Sequence, residues 1–510
     1  MQWIAISLPQ LPLEILGAPT PEPCAVAQDG RILVCDARAA ARGVAPGHTL
    51  AAAGALAPNL AVRARDPAGE TEALLALAGW AAQFTPSVAL ELASAQPARF
   101  AGVPFFSALS LEVSASLRLF GGLAPILAAL RQGLDAMGFT ACIACAPTAK
   151  SAIWLARAGR ETALDSARLA AGLEDLPVRL LDCDADTLAA LAAIGAETIG
   201  DLERLPRDGV ARRFGRGLLE EIDRALGRRP DPRTFFTPPP RFHARLELAA
   251  EVSQAEMLVF AARRLVVQLA GFLAARAGGV RRLVLRLFHR DAPATEVAIG
   301  LVAPSRDAEH FTRLARERLA TVGLRAPVRA ITLAAADIEP LAGEPRALFG
   351  GAVGGAADDW AQLVERLRAR LGAAAVHGVA AVPDHRPERA SRRSEPARGQ
   401  PAPARRQSSA AAPREGYAAG PPRCIPGAPR PFWLLPQPRP LAEIDSVPHH
   451  GGPLALLAGP ERIESGWWDG DDVARDYFIA QTPDRALVWI FRPRPSGPDG
   501  VNWYLHGLFA

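Results

Sequence analysis

Residues 380–430 limit what this chain can fold into more than any other stretch. The run is built from Pro, Arg, Ser, Ala and Gly and holds almost no large apolar side chain. Such a composition cannot bury enough surface to offset the entropy of ordering its backbone, so the sequence predicts a disordered linker there. Charge is concentrated in the same place. Residues 384–430 carry ten Arg against four acids, while the whole chain carries a formal net charge of +4, which leaves the remainder near −2. A net charge of that size is by itself weak evidence for a nucleic-acid partner. The chain has 510 residues, enough for three or four domains.

Usage is skewed to Ala, Arg, Gly and Pro, and Lys150 is the only lysine. Each Arg therefore carries less weight than it would in an ordinary composition. The opening "MQWIAISLPQLPLEIL" has no basic segment and holds two prolines, unlike a secretory signal. No uninterrupted apolar run is long enough for a membrane span. The six cysteines are scattered. Cys142 and Cys145 form a C-x-x-C, but no second pair or nearby His completes a zinc site, and "ACIACA" reads as a buried strand. A reduced, cytoplasmic protein is expected.

Ahead of the linker, hydrophobic periodicity divides the chain further. "QWIAISL", "SALSLEVSA" and "TACIACA" read as strands. "ETEALLALAGWAAQF", "APILAALRQGLDAMG" and "AKSAIWLARAG" read as helices. The segment "RILVCDARAAARGVAPGHTLAAAGAL" between the first strand and first helix reads as a strand followed by a small Ala-rich helical region. This alternation predicts an α/β or α+β domain over about 1–165. Residues 166–236 lack strand signals and read as short helices, with Thr198 as an N-cap and Gly227 just past a helix end. "PPPRF" is a hinge-like linker. Residues 241–340 read β-α-β-β-α-β, with helices over 254–277 and 307–322. The helix "DDWAQLVERLRARLG" follows a Gly-rich loop. Beyond the linker, residues 431–510 are rich in Trp and Tyr and read as a small β-rich module.

This order of parts resembles the Y-family translesion DNA polymerases. It implies an α+β multidomain fold: palm (1–20 and 66–165), fingers (21–65), helical thumb (166–236) and a β-α-β-β-α-β little finger (241–340). A loop and helix (341–379), the linker (380–430) and the C-terminal module (431–510) would follow. The most specific stretch is "IGAETIGDLERLP…RRFG…LLEEIDRALGRRPDP", which looks like the Y-family thumb. The tail "GPERIESGWWDG…RDYFIA…WIFR…WYLHGLFA" is similar to the C-terminal region of ImuB proteins, polymerase homologues of the bacterial mutasome. "SLEVSASLRLFGG" also resembles their palm more than an active one.

The resemblance makes the chemistry testable position by position. Two-metal phosphoryl transfer needs carboxylates holding two Mg²⁺ about 3.5–4 Å apart. The family pattern places an Asp-x-Asp signal at the end of the first strand, where this chain has Ser7 and Pro9. It places Asp-Glu just before "LEVS", where this chain has Ser107 and Ala108. A Tyr and an Arg that would meet the incoming triphosphate correspond to Ala37 and Ala40. A phosphate-contacting lysine pair is reduced to Lys150, one position out of register. No catalytic residue, metal or cofactor is therefore expected. The alternative is an active polymerase with a rebuilt metal site using Glu14, Glu112 or Asp36. A lone carboxylate would leave Mg²⁺ without a second protein anchor; Glu14 reads more simply as opening a helix and Glu112 as capping a strand end.

Duplex binding would remain. Alternation in "RRLVLRLF" puts Arg282 and Arg286 on one face and Leu283, Leu285 and Leu287 on the other. With Arg245, and with Arg212 and Arg213 in the thumb, these are the candidate DNA contacts; they would grip the backbone without reading sequence. An ordinary solvated strand face accounts for the same pattern. The thumb hairpin departs from the family, since "LDCDAD" is acidic and lacks glycine. Leu348 and Phe349 in "EPRALFGG" resemble the peptide by which such polymerases bind the β sliding clamp, although Pro345 stands where Gln is expected; a loop anchored on its own domain would look the same. A second clamp candidate, "QLPLEI" at Gln10, lies against the first strand. The ImuB resemblance implies two further partners, an error-prone DnaE-type polymerase and ImuA. Trp467, Trp468, Tyr477, Trp489, Trp503 and Tyr504 form either a binding surface for them or the core of a small domain. A bare DNA-binding protein without a clamp role is the third reading.

Overall fold

"WIAIS" is apolar at nearly every position because both faces of its strand are covered. A computed structural model describes residues 1–16, 22–91, 107–341, 355–396, 429–494 and 502–509. It divides into two compact units, Met1–Gly372 and Ala373–Ala510.

The first unit begins with an antiparallel sheet ordered Val88–Glu91, Ala108–Glu112, Trp3–Ser7, Cys142–Ala146. Successive side chains alternate between faces. Ile4, Ile6, Leu109, Leu111 and Ile143 pack on the helices Pro67–Ala81 and Leu123–Ala136. Trp3, Ala5, Ala144 and Ala146 meet the helix Ala149–Arg157 and the short helices that follow it, around the fully buried Trp154. Cys142 and Cys145 stand three residues apart on one strand, so they point to opposite faces and cannot share a metal. Three strands of this region escaped the sequence reading. Val88–Glu91 is only four residues long. Cys24–Gln28 forms a hairpin with Arg31–Cys35 and lies parallel to Ala61–Ala64, a third strand that was also missed. The hairpin turns through Asp29 and Gly30, both at positive φ.

Residues 169–225 fold into short helices, in keeping with the missing strand signals, and residues 230–236 run on without helix or strand. Thr198 caps Ile199–Arg204 in a reciprocal box with Asp201, and Gly227 takes positive φ after Arg216–Ala225. The following segment lies along the edge of the first sheet, with the Phe236 amide donating to the Val88 carbonyl at 2.7 Å and Arg233 paired with Glu91.

Residues 242–335 form the β-α-β-β-α-β unit, with sheet order Thr295–Ser305, Gly278–His289, Val328–Ala335, Phe242–Val252. The helices Leu258–Ala274 and Ala308–Leu319 cover its apolar face. Among the described residues, the helical stretch Ala255–Ala274 is long and apolar enough to cross a membrane by length and composition, but most of it is buried here. That apolarity has a packing cause: one side of the helix faces its own sheet, the other faces the helix Pro67–Ala81. There Trp80 sits between Gly271 and Gly133, and the Arg264 guanidinium donates to the Glu14 carbonyl at 2.5 Å and lies 4.0 Å from the Phe139 ring centre.

The second unit corrects the extent of the expected linker. Residues 380–396 are ordered: Gly378–Ala381 pairs with Ser391–Ser394 in a hairpin. The cause is charge pairing across more than 80 residues. The buried Arg386 binds Asp384 at 2.8 Å and Asp469 at 2.7 Å, Arg389 binds Asp469 at 2.9 Å, and Glu388 binds Arg475 at 3.1 Å. Residues 397–428 lie outside the described residues. The module itself is a six-stranded antiparallel sheet running from Val447–His449 at one edge to Ala455–Ser465 at the other. Tyr477, Trp489 and Phe491 pack on one face, Phe478, Ile490 and Trp503 on the other.

Candidate functional site

The positions at which the family pattern expects carboxylates come from two separate stretches, and the fold brings them together. Ser7 and Ala108 are direct register partners on neighbouring strands. Leu8 donates its amide to the Ser107 carbonyl at 2.9 Å, and Ser7 and Ser107 are both buried. Beside them opens a cleft of about 570 Å³ whose lining includes Pro9, Gln10, Leu33, Ala40 and Val44. Ala40 and Pro9, taken from the two halves of the expected polymerase site, thus face one space. Its lining has no charged side chain, so a triphosphate there would find no counter-charge. Ala37 opens the short helix Ala37–Ala40, which is capped by Asp36 through a 2.7 Å bond to the Ala39 amide.

The carboxylates considered for a rebuilt metal site stand apart from this row. Glu112 pairs with Trp3 at the opposite end of the same ladder, four residue steps and so about 13 Å from Ser7 and Ala108. Its carboxylate accepts the Ser114 amide at 3.1 Å. Glu14 ends rather than opens a four-residue helix. Its carboxylate accepts the Thr140 amide at 2.8 Å, and burial raises its pKa against the hydrogen bond and the nearby Arg264. Asp36 is occupied as an N-cap. The sequence reading missed Glu91, which is the register partner of Ala108 and therefore faces the same side of the sheet. It is paired with Arg233, itself also bound to Asp231. The local signal was only "VALE", too short to place a strand.

Lys150 is also engaged. Its ammonium lies 3.0 Å from Asp182 and 3.2 Å from Glu221. Burial pulls its pKa down, but the two carboxylates outweigh burial and raise it. The acidic "LDCDAD" stretch thus serves as a cradle for the one lysine, with Arg157 as a second cation 3.4 Å from Asp182. Burial and the surrounding acids push the Cys183 thiol up to about 12.

The candidate DNA contacts fall into two groups. Arg282 and Arg286 lie on the outer face of their strand, opposite the buried Leu283, Leu285 and Leu287. Arg245 and Arg286 both pair across Thr332, which places them in one row. Each has a nearby acid that the sequence alternation did not reveal: Arg245 binds Glu247 at 2.9 Å and Arg286 binds Glu296 at 3.3 Å. Such exposed pairs contribute roughly 0–1 kcal/mol and exchange readily for phosphate. Arg282, Arg212 and Arg213 are exposed and form no ion pair among the described residues. Leu348 and Phe349 lie outside the described residues, whereas the Gln10 peptide is part of the first sheet's surroundings, with Leu11 and Pro12 buried.

The aromatic set in the C-terminal module divides cleanly. Tyr477, Trp489 and Trp503 are core residues, and Tyr477 stacks on Trp489 with ring centres 3.9 Å apart. Tyr504 is half-buried. Trp467 and Trp468 are 81% and 59% exposed.

No family model matches the sequence. Among solved structures, the chain is similar to a Dbh ternary complex at 15% identity and a TM-score of 0.36, and to DinB from Sulfolobus solfataricus at 14% identity and a TM-score of 0.36; each match covers 66% of this chain and 98% of the other. Among curated proteins it is similar to Protein ImuB of Caulobacter vibrioides, in two strains, at 30% identity over 490 residues, covering 92% of this chain and 100% of the relative. With that identity over nearly the whole of both chains, the chain belongs to the ImuB family.

Proposed function

We propose that this chain is a non-catalytic adaptor in damage-induced mutagenesis and translesion synthesis, acting in the cytoplasm on damaged or primer-template DNA. It binds the DNA and the β sliding clamp, and it recruits an error-prone DnaE-type polymerase and ImuA. The observation that carries this reading is the Ser7–Ala108 register pair beside an uncharged cleft. Metal-assisted nucleotide transfer needs clustered negative charge for Mg²⁺ and positive charge for the triphosphate; this corner supplies Ser7, Pro9 and Ala108 for the first and Ala40 for the second. The separation of Glu112 from that corner speaks against the rebuilt-site alternative.

The test is primer extension with purified protein, Mg²⁺ or Mn²⁺ and all four nucleotides, run beside a gel shift on the same primer-template. Binding without extension is expected. Extension that vanishes on Glu112→Ala or Glu91→Gln would overturn the reading and make the chain an enzyme. A clamp pull-down with Leu348→Ala/Phe349→Ala follows, and loss of capture is the expected result.

The gel shift also separates the arginines. Replacing Arg212, Arg213 and Arg282 with Ala should weaken binding to all sequences alike. Each lost phosphate contact should flatten the slope of log affinity against log salt by about one. Unchanged slope in the triple variant would remove these residues from the interface.

A further inference from the structure

Trp467 and Trp468 occupy the turn Gly466–Gly470, between the strands Ala455–Ser465 and Val473–Gln481. Their rings meet edge to face with centres 5.6 Å apart, and neither belongs to the cores of the module. Two adjacent tryptophans held in water carry a large solvation cost with no return from the fold itself.

The turn is nevertheless fixed. Arg386, with a side chain only 3% exposed, donates to both Asp469 oxygens at 3.0 and 2.7 Å and to the Asp471 carbonyl at 3.0 Å. Asp384 holds its remaining edge, and the guanidinium lies 5.7 Å from the Trp468 ring centre. Gly466 sits at φ +93°, and a Cβ there would meet the Asp471 carbonyl at 2.4 Å and Arg386 at 2.6 Å. The backbone and a buried cation thus preorganise an aromatic pair that points away from the core, as binding hot spots require.

We propose that the Trp467–Trp468 turn docks a partner protein by inserting the indoles into an apolar pocket rimmed by Lys or Arg. The charge around the turn selects that occupant: Asp469 and Asp471 are exposed and paired with Arg386 and Arg389, yet with Asp384 and the exposed Asp472, which has no ion pair among the described residues, the acids outnumber these two cations. The same acids repel a nucleic-acid backbone. Arg386 is a positioning residue that acts through the turn. This inference rests on the recruiting role proposed above and assigns it a surface.

The experiment measures affinity of the full chain for the purified error-prone polymerase and for ImuA, each as a separate probe, with a primer-template gel shift in parallel. Trp467→Ala/Trp468→Ala should weaken one of the two protein complexes by about tenfold or more, with DNA binding and thermal midpoint unchanged. Arg386→Gln should weaken the same complex by a smaller factor, and Asp472→Lys should weaken it most at low salt. Undiminished binding by the double Trp variant overturns the inference and leaves recruitment standing. Loss of DNA binding instead assigns the indoles to base stacking and also overturns it. Wild-type chain that binds neither protein removes both recruitment and its surface.

Discussion

Lys150→Met is expected to destabilise the first unit by about 3 kcal/mol, among the largest effects of any single polar substitution in it. The side chain is 15% exposed and bridges Asp182 and Glu221. Met keeps the aliphatic volume and removes the charge. Glu221, with a side chain 9% exposed, is then left buried without its cation. Its pKa is already raised by burial against the pull of Lys150, so the substitution raises it further. The sign of the pH dependence follows. A carboxylate whose folded pKa lies above its unfolded value binds protons more tightly in the native state, so stability rises as pH falls through the folded value. The variant should therefore recover part of its loss as pH falls from neutral through the raised range of Glu221. The wild type should gain less, because Lys150 holds its Glu221 lower than in the variant and because Asp182, lowered by Lys150 and Arg157 despite burial, loses its contribution as pH falls. Lys150→Met/Glu221→Gln should recover most of the loss at neutral pH. Urea midpoints at several pH values check this; a K150M variant as stable as wild type would show that the cradle contributes nothing.

The same cluster marks the boundary of what the sequence disclosed. The order of strands and helices was legible because apolar periodicity is local: Ala149–Arg157, Pro67–Ala81 and the helices around 258–274 and 308–319 follow from it. The positions at which the resemblance expects carboxylates could be located in the sequence, and the register Ser7↔Ala108 makes two of them neighbours. Pairings set by tertiary contact were not. "LDCDAD" disclosed its acidity but not that Asp182 would meet Lys150 across 32 residues. The Arg-rich start of the linker disclosed its charge but not the acids at 469 and 471 that order it. Arg245 and Arg286 read as a positive face because Glu247 and Glu296 come from the next alternate position and from the neighbouring strand. The tryptophans of the tail were countable, yet only the strand register separates the stacked Trp489 from the exposed Trp467.

Gly271→Ala is expected to weaken the docking of the β-α-β-β-α-β unit on the first sheet's helices by 1–3 kcal/mol, as an order of magnitude. Taken alone, Gly to Ala within a helix gains up to about 1 kcal/mol. Packing reverses the sign. A Cβ at Gly271 would lie 2.3 Å from Trp80 Cδ1 and 2.6 Å from Gln83 Nε2. The indole has no room to retreat, because Gly133 lies on its other side, where a Cβ would meet Cζ2 at 2.1 Å. Trp80 is 3% exposed and also packs edge to face on Phe84 at 5.6 Å, so Trp80→Ala should cost roughly 3–5 kcal/mol. The two substitutions share one space and must couple. Once the indole is gone, alanine at 271 fills part of the cavity and regains its helix propensity, so the double variant should be no less stable than Trp80→Ala alone. Circular dichroism in urea measures the cycle, with proteolysis of the 234–241 segment as a reporter of undocking. Additive losses would mean that the indole does not hold the two layers together; a strong positive coupling would assign to one tryptophan, clamped between two glycines, the contact that keeps the unit against the sheet bearing Ser7 and Ala108.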